Sequence, residues 1–98
     1  MATIDIRRSH TLEKDEAKRR SEALARSMED KLGIQWRWEG DKICFDTPGG
    51  AAKGTTGTVY VDPKDVRVQI DLPFLLRAIK GSIETKVNQQ LDEVLGKK

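Results

Sequence analysis

The chain has one cysteine and one histidine, which are its only candidates for a cysteine–histidine nucleophile. Cys44 falls on the outward side of a predicted strand, and His10 falls at the end of another. A reactive cysteine needs a base or a positive charge nearby to lower its pKa. The two side chains could meet only if the first and third strands align, so we interpret both as structural and predict no catalytic residue.

A glycine-rich loop at 47–54 is a weak candidate for phosphate binding. Its sequence resembles a P-loop only faintly, because Lys53 precedes the second glycine of the pattern. The loop also leads into a predicted strand, so no helix N-terminus would face an anion. We therefore predict a flexible hairpin loop and no cofactor.

The sequence contains too few cysteine and histidine residues to predict a metal site. A metal site needs three or four suitable side chains, and here only carboxylates could complete one. Nothing in the pattern places two of the 16 acidic residues in an apolar pocket that would separate their pKa values. We predict no metal site and expect that the protein is not an enzyme.

The charge pattern argues against nucleic acid as a partner. The 18 lysines and arginines nearly balance the acids, and the net charge of +2 gives no concentrated basic face. Basic clusters at 7–8 and 18–20 are interleaved with acids. Trp36 and Trp38 share a face with Ile34, which we interpret as core rather than as a stacking platform for bases.

Length and termini bound the class of protein. With 98 residues there is room for one domain, spanning 1–98. A lone cysteine forms no internal disulfide, and the N-terminus has no apolar run typical of a signal peptide. No stretch approaches the ~20 apolar residues that span a bilayer. We therefore expect a cytoplasmic protein without a membrane span.

Hydrophobic periodicity predicts a strand at 3–10, then an amphipathic helix at 12–32 with Thr11 as N-cap and Gly33 as its stop. Apolar residues then alternate with polar ones in four short strands, at 34–39, 42–46, 56–61 and 66–72. Their short connections imply an antiparallel meander.

A second helix is predicted to start at Pro73, which suits a first helical turn. Its apolar stripe comprises Leu76, Ile79, Ile83, Val87, Leu91 and Val94. The order is β-α-β-β-β-β-α, an α+β fold. Both helices are amphipathic and each strand has one apolar face, so we expect one antiparallel sheet with the two helices packed on one face.

The start of the second helix, residues 73–81, is apolar around much of its circumference. On a helical wheel Leu76 and Ile79 join the core stripe, whereas Phe74 and Gly81 lie nearer the opposite side. Gly81 would mark a kink or a close approach by another chain. An exposed apolar cluster flanked by cations suits a protein partner or an amphiphilic surface. The candidate binding residues are Phe74, Leu75, Arg77 and Lys80; in the alternative, Phe74 folds back as a lid on the core.

Several stretches together resemble a known family. They are residues 4–10, 16–20, 36–41, 74–81, 83–84 and 90–93. In this order they are similar to the polyhydroxyalkanoic acid system proteins of bacteria, also described as granule-region proteins. The resemblance implies genes near those for polyhydroxyalkanoate, a carbon-storage polyester. It implies no defined activity and brings no site residues.

We therefore expect a non-enzymatic accessory protein of polyester granules, binding the granule surface or a granule protein and located in the cytoplasm or on granules. The alternative is a small ligand-binding or dimerising module, with an apolar cavity between helix 83–94 and Trp36, Trp38 and Phe45. A homodimer stays open under either interpretation. A hydrolase or isomerase acting on hydroxyacyl units is the weakest alternative.

Overall fold

The computed structural model describes residues 3–50 and 53–95. The element order predicted from the sequence is confirmed. The structure adds one element, a 3₁₀ helix (η1) before the last α-helix. In chain order the elements are β1 (Ile4–Ser9), α1 (Lys14–Leu32), β2 (Gln35–Glu39), β3 (Lys42–Asp46), β4 (Thr56–Val61), β5 (Asp65–Asp71), η1 (Phe74–Ile79) and α2 (Lys80–Leu95).

The five strands form one antiparallel sheet in the order β1-β5-β4-β3-β2. Strands β2 to β5 make the predicted meander. The first strand closes the sheet on the far side by pairing with β5, with Ile4 opposite Ile70 and Ile6 opposite Val68. The α+β prediction is confirmed.

Both helices cover the same face of this sheet, as predicted. The inward residues of the strands and the inward stripes of the helices form one continuous core. Ile43, Val59 and Val68 from the sheet are fully buried, as are Leu24 of α1 and Leu91 of α2. Burying side chains of this kind contributes roughly 1.5–3 kcal/mol each.

Gly57 is the one inward position of β4 without a side chain. The Phe45 ring of the neighbouring strand lies across it, and a Cβ atom there would collide with that ring and lie 2.5 Å from the Gln69 carbonyl oxygen. Glycine is therefore required for Phe45 to enter the core.

The start of α1 differs from the prediction. The helix begins at Lys14 with Glu13 as its N-cap, so the assignment of Thr11 as cap is wrong. The cause is the His10 ring, whose Nδ1 accepts a hydrogen bond from the Leu12 N–H at 3.1 Å and keeps this segment outside the helix. Gly33 ends α1 as predicted, in the left-handed conformation with φ of 74°.

The second predicted helix is α-helical only from Lys80 onward. Its first six residues form η1 instead, and Pro73 precedes them in extended conformation. A 3₁₀ helix has poorer hydrogen-bond geometry than an α-helix and is adopted mainly in short pieces. The change matters for function, because η1 carries the apolar residues of the candidate binding cluster.

Polar contacts hold the second half of α2 to the rest of the protein. Arg8 of β1 pairs with Asp92, and Arg20 of α1 donates to the Val94 carbonyl at 2.7 Å. Ser27 donates to the side chain of the buried Gln90. Contacts of this kind are found only beyond the first two turns of α2 among the described residues, so η1 projects from a firmly anchored helix.

Candidate surface-attachment site

The large apolar side chains that are exposed in the described part of the chain all belong to η1. Phe74 is 81% exposed, Leu75 is 85% exposed and Ile79 is 48% exposed. Scattered exposed apolar residues are common on protein surfaces, but three within one six-residue segment form a patch. We call residues 74–80 the apolar turn.

The turn is positioned by its two ends and by one anchor. Leu72 is buried at the end of β5, and Pro73 then turns the chain, with its carbonyl accepting the Leu76 N–H at 2.9 Å. Leu76 is half-buried and packs against the core. Because Leu76 points inward, Phe74 and Leu75 are held on the solvent side.

Two expectations for this region are corrected. Phe74 is not a lid on the core, since most of its surface is exposed. Ile79 was expected in the core stripe with Leu76, yet about half of its surface remains accessible. The reason is that Ile79 lines an open groove instead of packing into the closed core.

This groove lies between the end of α1 and the start of α2, beside the apolar turn. Its volume is about 210 Å³. Its lining combines apolar side chains with one serine and two lysines. The lining residues are Lys31, Leu32, Leu76, Ile79, Ser82, Ile83 and Lys86.

Four cations lie in the apolar turn or along the groove beside it. Arg77 and Lys80 belong to the turn, and Lys31 and Lys86 flank the groove. None of the four makes an ion pair within the described residues. Sequence reasoning missed Lys31 and Lys86, although each stands three residues after a buried apolar residue and so borders its helix's apolar stripe.

Gly81, the second residue of α2, has open space around it. A Cβ atom placed there would meet no atom within 4 Å. The helix runs unbroken from Lys80, so the glycine marks neither a kink nor a close approach within this chain. It lies at the edge of the apolar turn.

Cys44 and His10 are not brought together. Two strands separate β1 from β3, which places these elements roughly 14 Å apart. The His10 Nδ1 atom accepts a hydrogen bond, so Nε2 carries the proton and donates to the Asp62 carbonyl at 2.9 Å. His10 therefore connects two loops, and Cys44 stays half-buried on the open face of the sheet.

The two tryptophans lie on the helix side of β2, as predicted, but they are only half-buried. Because β2 is an edge strand, no further strand lies beyond it, and both rings stay partly exposed. The indole N–H of Trp36 donates to Glu29 at 2.8 Å, and that of Trp38 donates to Glu22 at 2.9 Å. Lys18 stands 5.4 Å from the centre of the Trp38 ring.

The basic clusters that sequence reasoning set aside are ion-paired within the chain. Arg20 pairs with Glu16 at 2.7 Å, and this contact holds the pKa of the Glu16 carboxyl below its usual range. Arg7 lies 3.6 Å from Asp65. Their charge is therefore directed at neighbouring acids.

The open face of the sheet is polar and internally paired. Arg67 binds Asp5 through two hydrogen bonds, of 3.0 and 2.6 Å, which lower the pKa of Asp5. Arg37 donates to Glu39 at 2.8 Å and lowers the pKa of that carboxyl in the same way. This face has the character of a solvated surface.

The glycine-rich loop leads into β4, as predicted, and not into a helix. Its described part is closed by a hydrogen bond from the Gly54 N–H to the Thr47 carbonyl at 2.9 Å. Residues 51–52 of the P-loop-like segment lie outside the described residues. Within 3–50 and 53–95, no group of three or more His, Cys, Asp or Glu side chains could hold a metal ion.

The proposed cavity between α2 and Phe45 is filled by side chains. Phe45, Val87 and Leu91 belong to one packed core and are each at most 4% exposed. The tryptophans pack beneath α1, through Glu22 and Glu29, rather than beneath α2. A ligand cavity lined by α2, Phe45 and both tryptophans therefore does not match this structure, because the core is packed there and the tryptophans lie under the other helix.

A family model described as "Putative polyhydroxyalkanoic acid system protein" matches residues 4–95. The chain belongs to this family. The match covers every element from β1 to α2, with the apolar turn inside it. No curated protein matches the chain. Among the described residues, no helix combines the length and the apolar character that crossing a membrane requires.

Proposed function

We propose that the protein is a non-enzymatic accessory protein of the polyhydroxyalkanoate storage system that attaches to the granule surface through its apolar turn. The observation that carries the proposal is the exposure of Phe74 and Leu75, at 81% and 85%. Family membership supplies the setting, a polyester storage system. In this proposal the protein resides in the cytoplasm and associates with granules there.

The energetics of the turn support attachment. Removing one large apolar side chain from water contributes roughly 1.5–3 kcal/mol. Phe74 and Leu75 together would therefore contribute several kcal/mol on entering an apolar surface. The fold does not use this free energy, because both side chains remain in water in the isolated chain.

The non-enzymatic part of the proposal is supported by the roles of the chain's most reactive side chains. The His10 imidazole uses both nitrogens to connect loops. Cys44 lies between Arg37 and Thr58 in adjacent strands, on the far side of the sheet from the turn. Neither is near the surface that we assign to binding.

The proposal is tested by co-sedimentation of purified protein with isolated polyhydroxyalkanoate granules. We expect wild type to pellet with granules and the Phe74→Ser, Leu75→Ser double variant to stay in the supernatant, with an apparent affinity lower by roughly 100-fold or more. Both side chains lie outside the core, so circular dichroism should show the variant folded.

The matched control keeps the turn apolar. A Phe74→Leu, Leu75→Met double variant changes the same two positions and should pellet like wild type, because it preserves most of the buried apolar area. The proposal fails if wild type does not pellet, or if the serine variant pellets equally well. A granule-associated protein as receptor would show as pelleting that is lost when granules are stripped of protein.

A further inference from the structure

We propose that the surface entered by the apolar turn is negatively charged, as in a layer of anionic lipid. This inference rests on the proposed function and names the chemistry of the same site's partner. It is carried by the juxtaposition of exposed apolar side chains with four cations that have no ion-pair partner in the described structure.

The distribution of unpaired cations is uneven over the molecule. Nine lysines and arginines make ion pairs among the described residues, and all nine belong to α1 or to strands of the sheet. Among the described residues, the cations without an ion pair are Lys31, Lys42, Lys53, Lys64, Arg77, Lys80 and Lys86. Of these, Lys42 stands over the Tyr60 ring at 5.8 Å. Of the remaining six, Arg77 and Lys80 lie in the apolar turn, and Lys31 and Lys86 line the groove beside it.

Acidic residues are absent from the apolar turn and from the lining of the groove beside it. No Asp or Glu occurs between Asp71 and Glu84, although the chain has 16 acids. The groove beside the turn is lined by Lys31 and Lys86 but by no carboxylate. The apolar turn and the lining of the groove therefore contain cations and no carboxylate, and their electrostatic complement is an anionic surface.

The shape of the patch favours a lipid layer over a folded partner. Phe74 and Leu75 stand out from the protein instead of lining a concave site, so a fluid layer can receive them without a preformed pocket. Apolar residues flanked by Lys and Arg are typical of segments that lie in the interface of anionic membranes. Lys31 and Lys86 can extend along the groove wall with their charged ends toward head groups.

The test uses vesicles of phosphatidylcholine alone and of phosphatidylcholine mixed equally with phosphatidylglycerol. We expect wild type to bind the anionic vesicles, to bind neutral ones much more weakly, and to be released by salt. A Lys or Arg near an anionic surface contributes about 1 kcal/mol, so the Arg77→Gln, Lys80→Gln variant should bind roughly 30-fold more weakly. The Lys31→Gln, Lys86→Gln variant should show a similar loss.

A Lys42→Gln, Lys64→Gln variant is the matched control. It removes the same charge from two lysines without an ion pair among the described residues, one at the start of β3 and one in the turn before β5, at the other end of the sheet from Pro73, and its binding should change less than threefold. Equal binding to both kinds of vesicle, binding to neither, or an equal loss in the control would each overturn the inference.

Granule co-sedimentation of the Arg77→Gln, Lys80→Gln variant separates this inference from the proposed function. If the variant pellets with granules like wild type and pelleting ignores salt, attachment through Phe74 and Leu75 stands but the charged surface is wrong. If wild type binds anionic vesicles but not granules, the granule assignment fails and recognition of an anionic layer stands.

Discussion

Two aromatic-bearing regions at the surface of this protein have opposite environments. Trp36 and Trp38 lie beneath α1, half-buried, and each indole N–H donates to a glutamate of that helix. Phe74 and Leu75 occupy the apolar turn, where no element covers them. The tryptophans therefore stabilise the fold, whereas the turn contributes little to folding and is available for binding.

The cations around the two regions also differ, because in the described part of the chain those near the tryptophans are ion-paired and those near the apolar turn are not. Near the tryptophans, Lys14 and Lys18 both pair with Asp41, at 3.1 and 3.0 Å. Around the apolar turn the cations have no such partners among the described residues. Aromatic side chains and cations thus occur in both regions. Where acids pair with the cations the surface is internally satisfied, and where they do not the cations remain available to a partner.

Replacing a tryptophan should have the largest effect on stability. Trp38→Ala removes a ring that packs against the core and a hydrogen bond to Glu22, and we expect the free energy of unfolding to fall by about 2–3 kcal/mol. Urea denaturation measures this loss. A loss below about 0.5 kcal/mol would show that the tryptophans are no more part of the fold than the turn is.

Gly81→Ala should have a smaller effect of opposite sign. The added methyl group meets no atom, and alanine favours the helix, so the free energy of unfolding should rise by about 0.5–1 kcal/mol. The same urea measurement detects the gain. A marked loss of granule binding in this folded variant would place the bound surface against Gly81 itself.

The serine variant of the turn should be almost neutral for folding. For Phe74→Ser, Leu75→Ser we expect a change in the free energy of unfolding within about 0.5 kcal/mol, because both side chains are exposed in the folded and unfolded chain. Measured beside Trp38→Ala, it contrasts the two regions directly. A loss as large as that of the tryptophan variant would contradict our description of the turn.

Acid should weaken the paired regions and leave the turn's own contacts unaffected. Hydrogen bonds from Arg67 and Arg20 lower the pKa values of Asp5 and Glu16 from their ordinary 3.8 and 4.5. The folded state then binds fewer protons than the unfolded state, so this stabilisation is present above those values and is lost as pH falls through and below them.

We therefore expect unfolding midpoints that are constant between about pH 7 and 5 and that decline below about pH 4.5. The effect is small, since these groups are exposed. Asp5→Asn should make the decline shallower. A midpoint that rises on acidification would contradict the assigned pairs.

Local patterns in the sequence were sufficient for the strands, their faces and the meander. The alternation of Val66, Val68 and Ile70 survives unchanged in β5. The pairing of β1 with β5 was not predictable, because it joins residues more than 55 positions apart and depends on where α1 returns the chain. Such long-range pairings are set by the whole fold and by no local signal.

The candidate site was predicted in part. Phe74, Leu75, Arg77 and Lys80 are adjacent in the chain, so their common location is visible in the sequence. The exposure of Ile79 was missed because a helical wheel assumes an α-helix and a neighbour on its inner side, whereas η1 is a 3₁₀ helix beside an open groove. The contribution of Lys31 requires α1 and α2 to be side by side.

The central claim is that the apolar turn, and not the tryptophan region or the open face of the sheet, contacts the granule. Amide hydrogen exchange of the protein with and without isolated granules tests it most directly, because it maps the contact without any substitution. We predict slower exchange in peptides covering residues 74–82 and unchanged exchange in peptides covering 35–39. Protection in peptides covering 35–39 or in other strands of the sheet, with none at 74–82, would contradict this account.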